Sequence, residues 1–334
     1  MGTPPPHRLK QNGVISDSER ILTANYTHFI ILSFIFLPLC FYLITTPGIF
    51  HLRLQLLTGD HFHTFPQKLW GSIRRILMNL DQNHQNFVIP GIFNILIVYL
   101  LTMCAIFTIT YSTHRGLISG KPVNFFPAFK SLKSSFFPII TTAITAHSLI
   151  FLFSLSFILF VQTNLMLAHN LGFVIDYNSN SFMWVSYATG VVLIVIVTYF
   201  LVNWSLAFVI VVVESKSGLS ALRRSTCLVK GMRWVSLGVF LYFGSFLGMS
   251  AWVMSDCLHA FSDWGYVLFA MTVGCGLLMS YMRHWTAATV VLYGYCLASH
   301  GEPVVDGFGC GYVGLHSEID DEMVKVSDRV VEGC

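Results

Sequence analysis

VVVESKSGLSALRRSTCLVKGMRW, residues Val211 to Trp234, holds five of the chain's nineteen lysines and arginines. Long charge-free runs flank it on both sides. A short basic segment between two apolar runs of bilayer length reads as a membrane-surface linker joining two spans.

Composition agrees with that reading. Of 334 residues, 54% are hydrophobic and only 10% charged, and the mean hydropathy is +0.67. A soluble domain carries roughly 25% charged residues, so the solvent of this chain is largely lipid. The net charge of +3 and the absence of any nucleic-acid-reading motif exclude DNA and RNA as partners. Eight cysteines occur without a CxxC pair, giving neither a disulfide framework nor a zinc signature. The polar, Pro-rich start is no cleavable signal peptide, and neither terminus carries a lipidation motif.

Outward from the linker, the expected class is an all-α polytopic membrane bundle of about six transmembrane helices plus two interfacial amphipathic helices. Residues 1–24 read as a disordered cytosolic arm, 25–300 as the membrane domain and 301–334 as an acidic cytosolic tail. The spans fall at about 27–46, 87–111, 137–161, 182–212, 235–254 and 266–298. The last is read as one long tilted helix, because Ser280 to Thr289 holds no Gly, Pro, Asn or Asp to favour a turn. Arg115 to Lys133 reads as a basic loop, and the stretch after residue 161, through Ser181, as a loop in the headgroups. In the first outer connection, Leu69, Trp70, Ile73, Ile76, Leu77 and Leu80 follow Pro66 at helical spacing, opposite Lys68, Arg74 and Arg75. That pattern predicts a surface amphipathic helix.

Lysine and arginine counts set the orientation. The N-terminus, second loop, fourth loop and tail hold 3, 4, 5 and 2 of them, against 4, 0 and 0 on the other side. Both termini are therefore expected in the cytosol, in an endomembrane or plasma membrane.

The linker itself is amphipathic. From about Gly218 to Lys230, Leu219, Ala221, Leu222, Leu228 and Val229 fill one half of a helix, and Arg223, Arg224 and Lys230 project from the other. Such a helix lies flat with its basic side toward anionic lipid headgroups while Leu222 and Leu228 wedge beneath them. The simpler account is a topology determinant anchored by snorkelling. Glu214 is the acid nearest to these cations, positioned to pair with Lys216 or an arginine.

ESKSGLSALRRSTCLVKGMRW, after a span containing Asn203-Trp204, resembles the signature of a plant family of mostly uncharacterised multi-pass membrane proteins. Glu214, Gly218, Ala221, Leu222, Arg224, Ser225, Leu228, Val229, Lys230, Gly231 and Trp234 carry the resemblance. TVVLYGYC (Thr289 to Cys296) and GYVGLHSEID (Gly311 to Asp320) are similar to that family's last span and tail. More distantly, the signature is similar to the membrane domain of some bacterial glycerophosphodiester phosphodiesterases, whose catalytic domain this chain lacks. The resemblance implies a six-span fold and plant origin, and no activity.

Arg283 is the one charge deep in a predicted span, by default a functional suspect. The alternative is a bundle-facing arginine held by neighbouring polar groups, or a snorkelling one in an offset span. Asp60, His61, His63 and His84 make a weak metal pattern, far better explained by a surface loop that merely contains histidines. No HExxH, GxSxG or paired-carboxylate motif occurs, so neither enzyme activity nor a cofactor is expected. Three lesser patterns are a Tyr312-Val313-Gly314-Leu315 sorting signal, a basophilic kinase site at Thr226, and palmitoylation at Cys227 or Cys296. The leading expectation is a non-enzymatic protein organising anionic membrane lipids or partner proteins. A channel or facilitator passing Arg283, or a membrane-embedded lipid enzyme or enzyme subunit, are the alternatives.

Overall fold

The structure, a computed structural model, describes residues 11–46, 85–119, 125–172, 180–260 and 264–300. These residues are helical, with no strand among them. In chain order the helices are α1 (Gln11–Ala24), α2 (Tyr26–Thr46), α3 (Gln85–Ser119), α4 (Phe125–Asn170), α5 (Asn180–Asn203), α6 (Ala207–Glu214), α7 (Leu219–Val229), α8 (Arg233–Ala260) and α9 (Trp264–Ser299). Six stretches, Tyr26–Thr46, Phe93–Leu117, Phe136–Ala168, Trp184–Glu214, Arg233–Leu258 and Trp264–Ser299, are long and apolar enough to cross a bilayer. The chain is a six-span helical membrane bundle. The last stretch is a single unbroken helix.

Three expectations need correction. The arm read as disordered is α1 from Gln11 on, with Val14, Ser18 and Leu22 buried at four-residue spacing. The basic loop between spans 2 and 3 is mostly helix, because α3 runs on to Ser119 and α4 already begins at Phe125. The headgroup loop after residue 161 is likewise helix as far as Asn170. In the latter two cases apolar residues recurring every three or four positions continue past the bilayer-length segment, and helix propagation follows them; α1 is instead ordered by its packing on the bundle. The amphipathic segment at 66–80, the Asp60, His61, His63 and His84 group, and the tail with Tyr312 lie outside the described residues.

Local irregularities have local causes. In α2, Pro38 has no N–H to bond the Phe34 carbonyl. The Leu37 N–H takes that carbonyl instead, tightening Phe34–Phe36 into a 3-10 turn. Buried Phe29, Leu32, Phe36, Cys40 and Ile44 still form one stripe along the helix. Helices α8 and α9 run antiparallel, with Phe240 edge-on to Trp285 and Phe246 stacked on Tyr281.

The core has two parts, one running along α2 against α3, α8 and α9 and the other centred on α6. The short α6 is apolar on every side, and its Ala207, Val209, Ile210, Val211, Val212 and Val213 are all buried, as expected of a helix enclosed by others. Around it pack Phe107 and Tyr111 of α3, Ile139 and Ala143 of α4, Leu228 and Val229 of α7, Val239 and Phe243 of α8, and Val290 to Tyr293 of α9. The α4–α5 pair is the open part. Between residues 144 and 172 of α4, and 184 and 201 of α5, no side chain described is buried.

The candidate functional site

The Val211–Trp234 segment is built from backbone groups that irregular geometry leaves without helical partners. Span 4 breaks after Asn203. There the Ser205 N–H reaches Val202 O (3.3 Å) and the Ala207 N–H reaches Trp204 O (3.0 Å), so the Asn203 carbonyl lacks its usual i+4 donor. Ser225 Oγ of α7 donates to that carbonyl at 2.7 Å, fully buried. Ser236 of α8 donates to Val202 O (3.4 Å) and meets Ser205 Oγ at 3.0 Å. Two serines from later helices thus brace the kink, as buried polar groups require.

The chain then turns sharply from α6 into α7. Ser215 (φ 56°) and Gly218 (φ 60°, ψ −135°) take left-handed backbone, and the latter combination suits glycine alone. The Gly218 N–H donates to Thr142 Oγ1 of α4 at 2.8 Å, and Thr142 donates to the Pro138 carbonyl, also at 2.8 Å. The turn is thereby tied to span 3.

Glu214 gathers the charges at this turn. It binds Lys216 Nζ at 2.9 Å, Arg224 Nε at 3.4 Å and the Tyr293 hydroxyl at 3.0 Å. Its side chain is 17% exposed and that of Arg224 22%, so solvent screens this pair only in part. One carboxylate therefore joins α6, α7 and α9.

The basic residues expected to act together divide. Arg224 is held inward by Glu214, whereas Arg223 and Lys230 are exposed and make no ion pair with any described residue. Leu222 (3% exposed) and Leu228 (0%) face the protein core, so the expectation that they wedge beneath lipid headgroups is corrected. Helix α7 sits on the bundle rather than floating on lipid, because Ala221, Leu222, Ser225, Leu228 and Val229 are needed to cover α6. Its exposed apolar residue is Leu219 (63%). Trp234, 85% exposed at the start of α8, stands where interfacial indoles anchor. Nothing in the structure explains the glycine at 231, which has open space around it.

Arg283 is 7% exposed, with its guanidinium 5.7 Å above the Tyr26 ring. On α9 the exposed large apolar side chains run from Trp264 to Leu277 and stop there. Arg283 lies about 29 Å along the helix from Trp264, roughly the full hydrocarbon thickness. Beside this part of α9 packs α1, whose Glu19 and Arg20 are exposed, and Asp17 of α1 accepts a hydrogen bond from Tyr295. Arg283 thus lies beyond the run of exposed large apolar side chains on α9. A surface depression lined by Gln11, Asn12, Ile15, Ser16, Glu19 and Tyr242 does not include it.

Cys296 is fully buried, its sulfur 3.9 Å from Met232 Sδ, which removes it as an acylation site. Thr226 Oγ1 is bonded to the Leu222 carbonyl at 3.0 Å. Thr142, Ser236, Tyr293 and Arg233 belong to this site and were not singled out by sequence reasoning. A polar residue interrupting an apolar run, such as Thr142, is the only signal they leave.

The family described as "Domain of unknown function (DUF8558)" matches residues 7–307. No curated protein and no solved structure matches the chain.

Proposed function

The chain belongs to that family, whose function is unknown, and we propose that it is a non-enzymatic membrane protein that organises anionic lipid at the cytosolic leaflet. The carrying observation is the division of the basic residues on α7. Glu214 engages Lys216 and Arg224, while Arg223 and Lys230 stand exposed on a helix whose opposite face is locked into the core. Cations presented on a fixed support lose little conformational entropy when they meet phosphates. Each basic side chain near an anionic surface contributes about 1 kcal/mol.

The positive-inside distribution of Lys and Arg supports a cytosolic position for this rim. Arg283 supports anchoring over conduction, since it is buried beside Tyr26. The test is flotation of purified protein with vesicles of phosphatidylcholine, with and without phosphatidylserine, in an inside-exposed orientation. Recruitment of phosphatidylserine around the protein is expected to fall several-fold in Arg223→Ala/Lys230→Ala and to weaken with salt. Recruitment unaffected by either change would defeat the proposal.

A further inference from the structure

We infer that the junction of α5 and α8 is a seat for one anionic glycerophospholipid, with Arg233 as its phosphate ligand. The inference deepens the lipid reading above but rests on different residues, so the two can fail separately.

Arg233 opens α8, and its guanidinium carbon stands 5.9 Å from the centre of the Tyr199 ring on α5. Its Nε is buried and has no hydrogen-bond partner among the described residues. The arginine is held in that position from its own helix. One turn on, Ser236 is bound to the Val202 carbonyl and to Ser205, so this face of α8 is pinned to the inner end of α5. A planar guanidinium with a free edge, resting on an aromatic ring, is suited to a phosphate. The Trp234 indole, largely exposed, is the next residue along the chain. Tyr199, Phe200, Trp204 and Phe153 form a connected aromatic group at the same level, of the kind that settles at a headgroup boundary.

The apolar part of the ligand has room beyond. From Trp184 to Leu201, α5 has no buried side chain, and Trp184, Val191, Ile194 and Val195 are each more than half exposed. That stretch extends about 22 Å from Tyr199 to Trp184, more than the roughly 15 Å of hydrocarbon in one leaflet. A diacyl chain pair fits beside it, headed by the arginine. The charge at one end and the apolar length at the other commit the seat to a phospholipid rather than to a soluble phosphate.

The experiment is native mass spectrometry of the full chain in mild detergent supplemented with phosphatidylserine or with phosphatidylcholine. The wild type is expected to retain one phosphatidylserine per chain in preference to phosphatidylcholine. Arg233→Gln should lower that retention about tenfold, the equivalent of one charge-assisted hydrogen bond. Arg223→Ala/Lys230→Ala should retain the bound lipid while losing leaflet recruitment, which separates this seat from the rim. Should Arg233→Gln fail to fold, Arg233→Lys keeps the charge without the planar fork and is expected to give intermediate retention. Added inorganic phosphate should leave the lipid bound. Equal retention of the two lipids, unchanged retention in both Arg233 variants, or displacement by phosphate would each overturn the assignment.

Discussion

Gly218 shows how much of the signature is backbone geometry. Its φ of 60° and ψ of −135° are closed to a residue with a Cβ, although the nearest atoms, Thr145 Oγ1 and Thr141 Cγ2, are 3.8 and 3.9 Å from where that Cβ would stand. The penalty is therefore torsional rather than steric, about 1–3 kcal/mol. Gly218→Ala should lower the thermal midpoint in detergent accordingly. Gly231→Ala, at a position with open space and no positive φ, should be neutral or slightly stabilising. Equal losses in the two variants would show that the turn at Gly218 is not as described. The serine at 225 follows the same logic. Its hydroxyl matters because it satisfies a carbonyl that the span 4 break releases, a partner 22 positions earlier in the chain.

Among the elements, α1 departs furthest from what its residues suggest. QNGVISDSERILTA mixes charges with few apolar groups, and in isolation a helix of that length and composition is marginal. Its order comes from partners elsewhere. Gln11 Nε2 donates to the Gly238 carbonyl at 2.9 Å, Tyr295 donates to Asp17, and Val14, Ser18 and Leu22 are enclosed. Hydrogen exchange should find the amides of residues 14–22 protected. Leu22→Ala, which empties a fully packed position, should cost about 2–5 kcal/mol and release that protection. Rapid exchange across α1 in the wild type would remove the helix from the bundle. By contrast, α7 was readable beforehand. Its boundaries, its basic face and the pairing of Glu214 follow from helical periodicity over a short window. What periodicity could not distinguish is whether the apolar face of α7 meets lipid or protein, since both solvents accept the same leucines.

For the molecule as a whole, the packing is lopsided. One part is a closed core around α6, whereas residues 144–172 and 184–201 of the α4–α5 pair include no buried side chain among those described. In single-tryptophan variants reconstituted with brominated phospholipids, Trp184 (69% exposed) should be strongly quenched. Trp285, half-buried and edge-on to Phe240, should be quenched weakly. Similar quenching of both would mean that the outer part of α5 is covered. The same lopsidedness explains the long helices. On α9 the exposed large apolar side chains end at Leu277 and most of the buried residues follow, so Trp264–Ser299 exceeds the length of a bilayer crossing without a turn.

Composition and periodicity alone determined that this chain lives in lipid, crosses it about six times, and carries a basic amphipathic helix after the fourth crossing. Those properties depend on the transfer of apolar side chains and on helical repeat, both of which are local. Tertiary structure decided that Arg224 is bound and Arg223 is not, that Leu222 and Leu228 face protein, that Arg283 is buried beside Tyr26, and that residues 11–24 are packed helix. The first two depend on how the chain folds back between α6 and α7, a turn geometry that periodicity does not encode; the last two depend on partners distant in the chain, Tyr26 and α9, which no window of neighbouring residues contains.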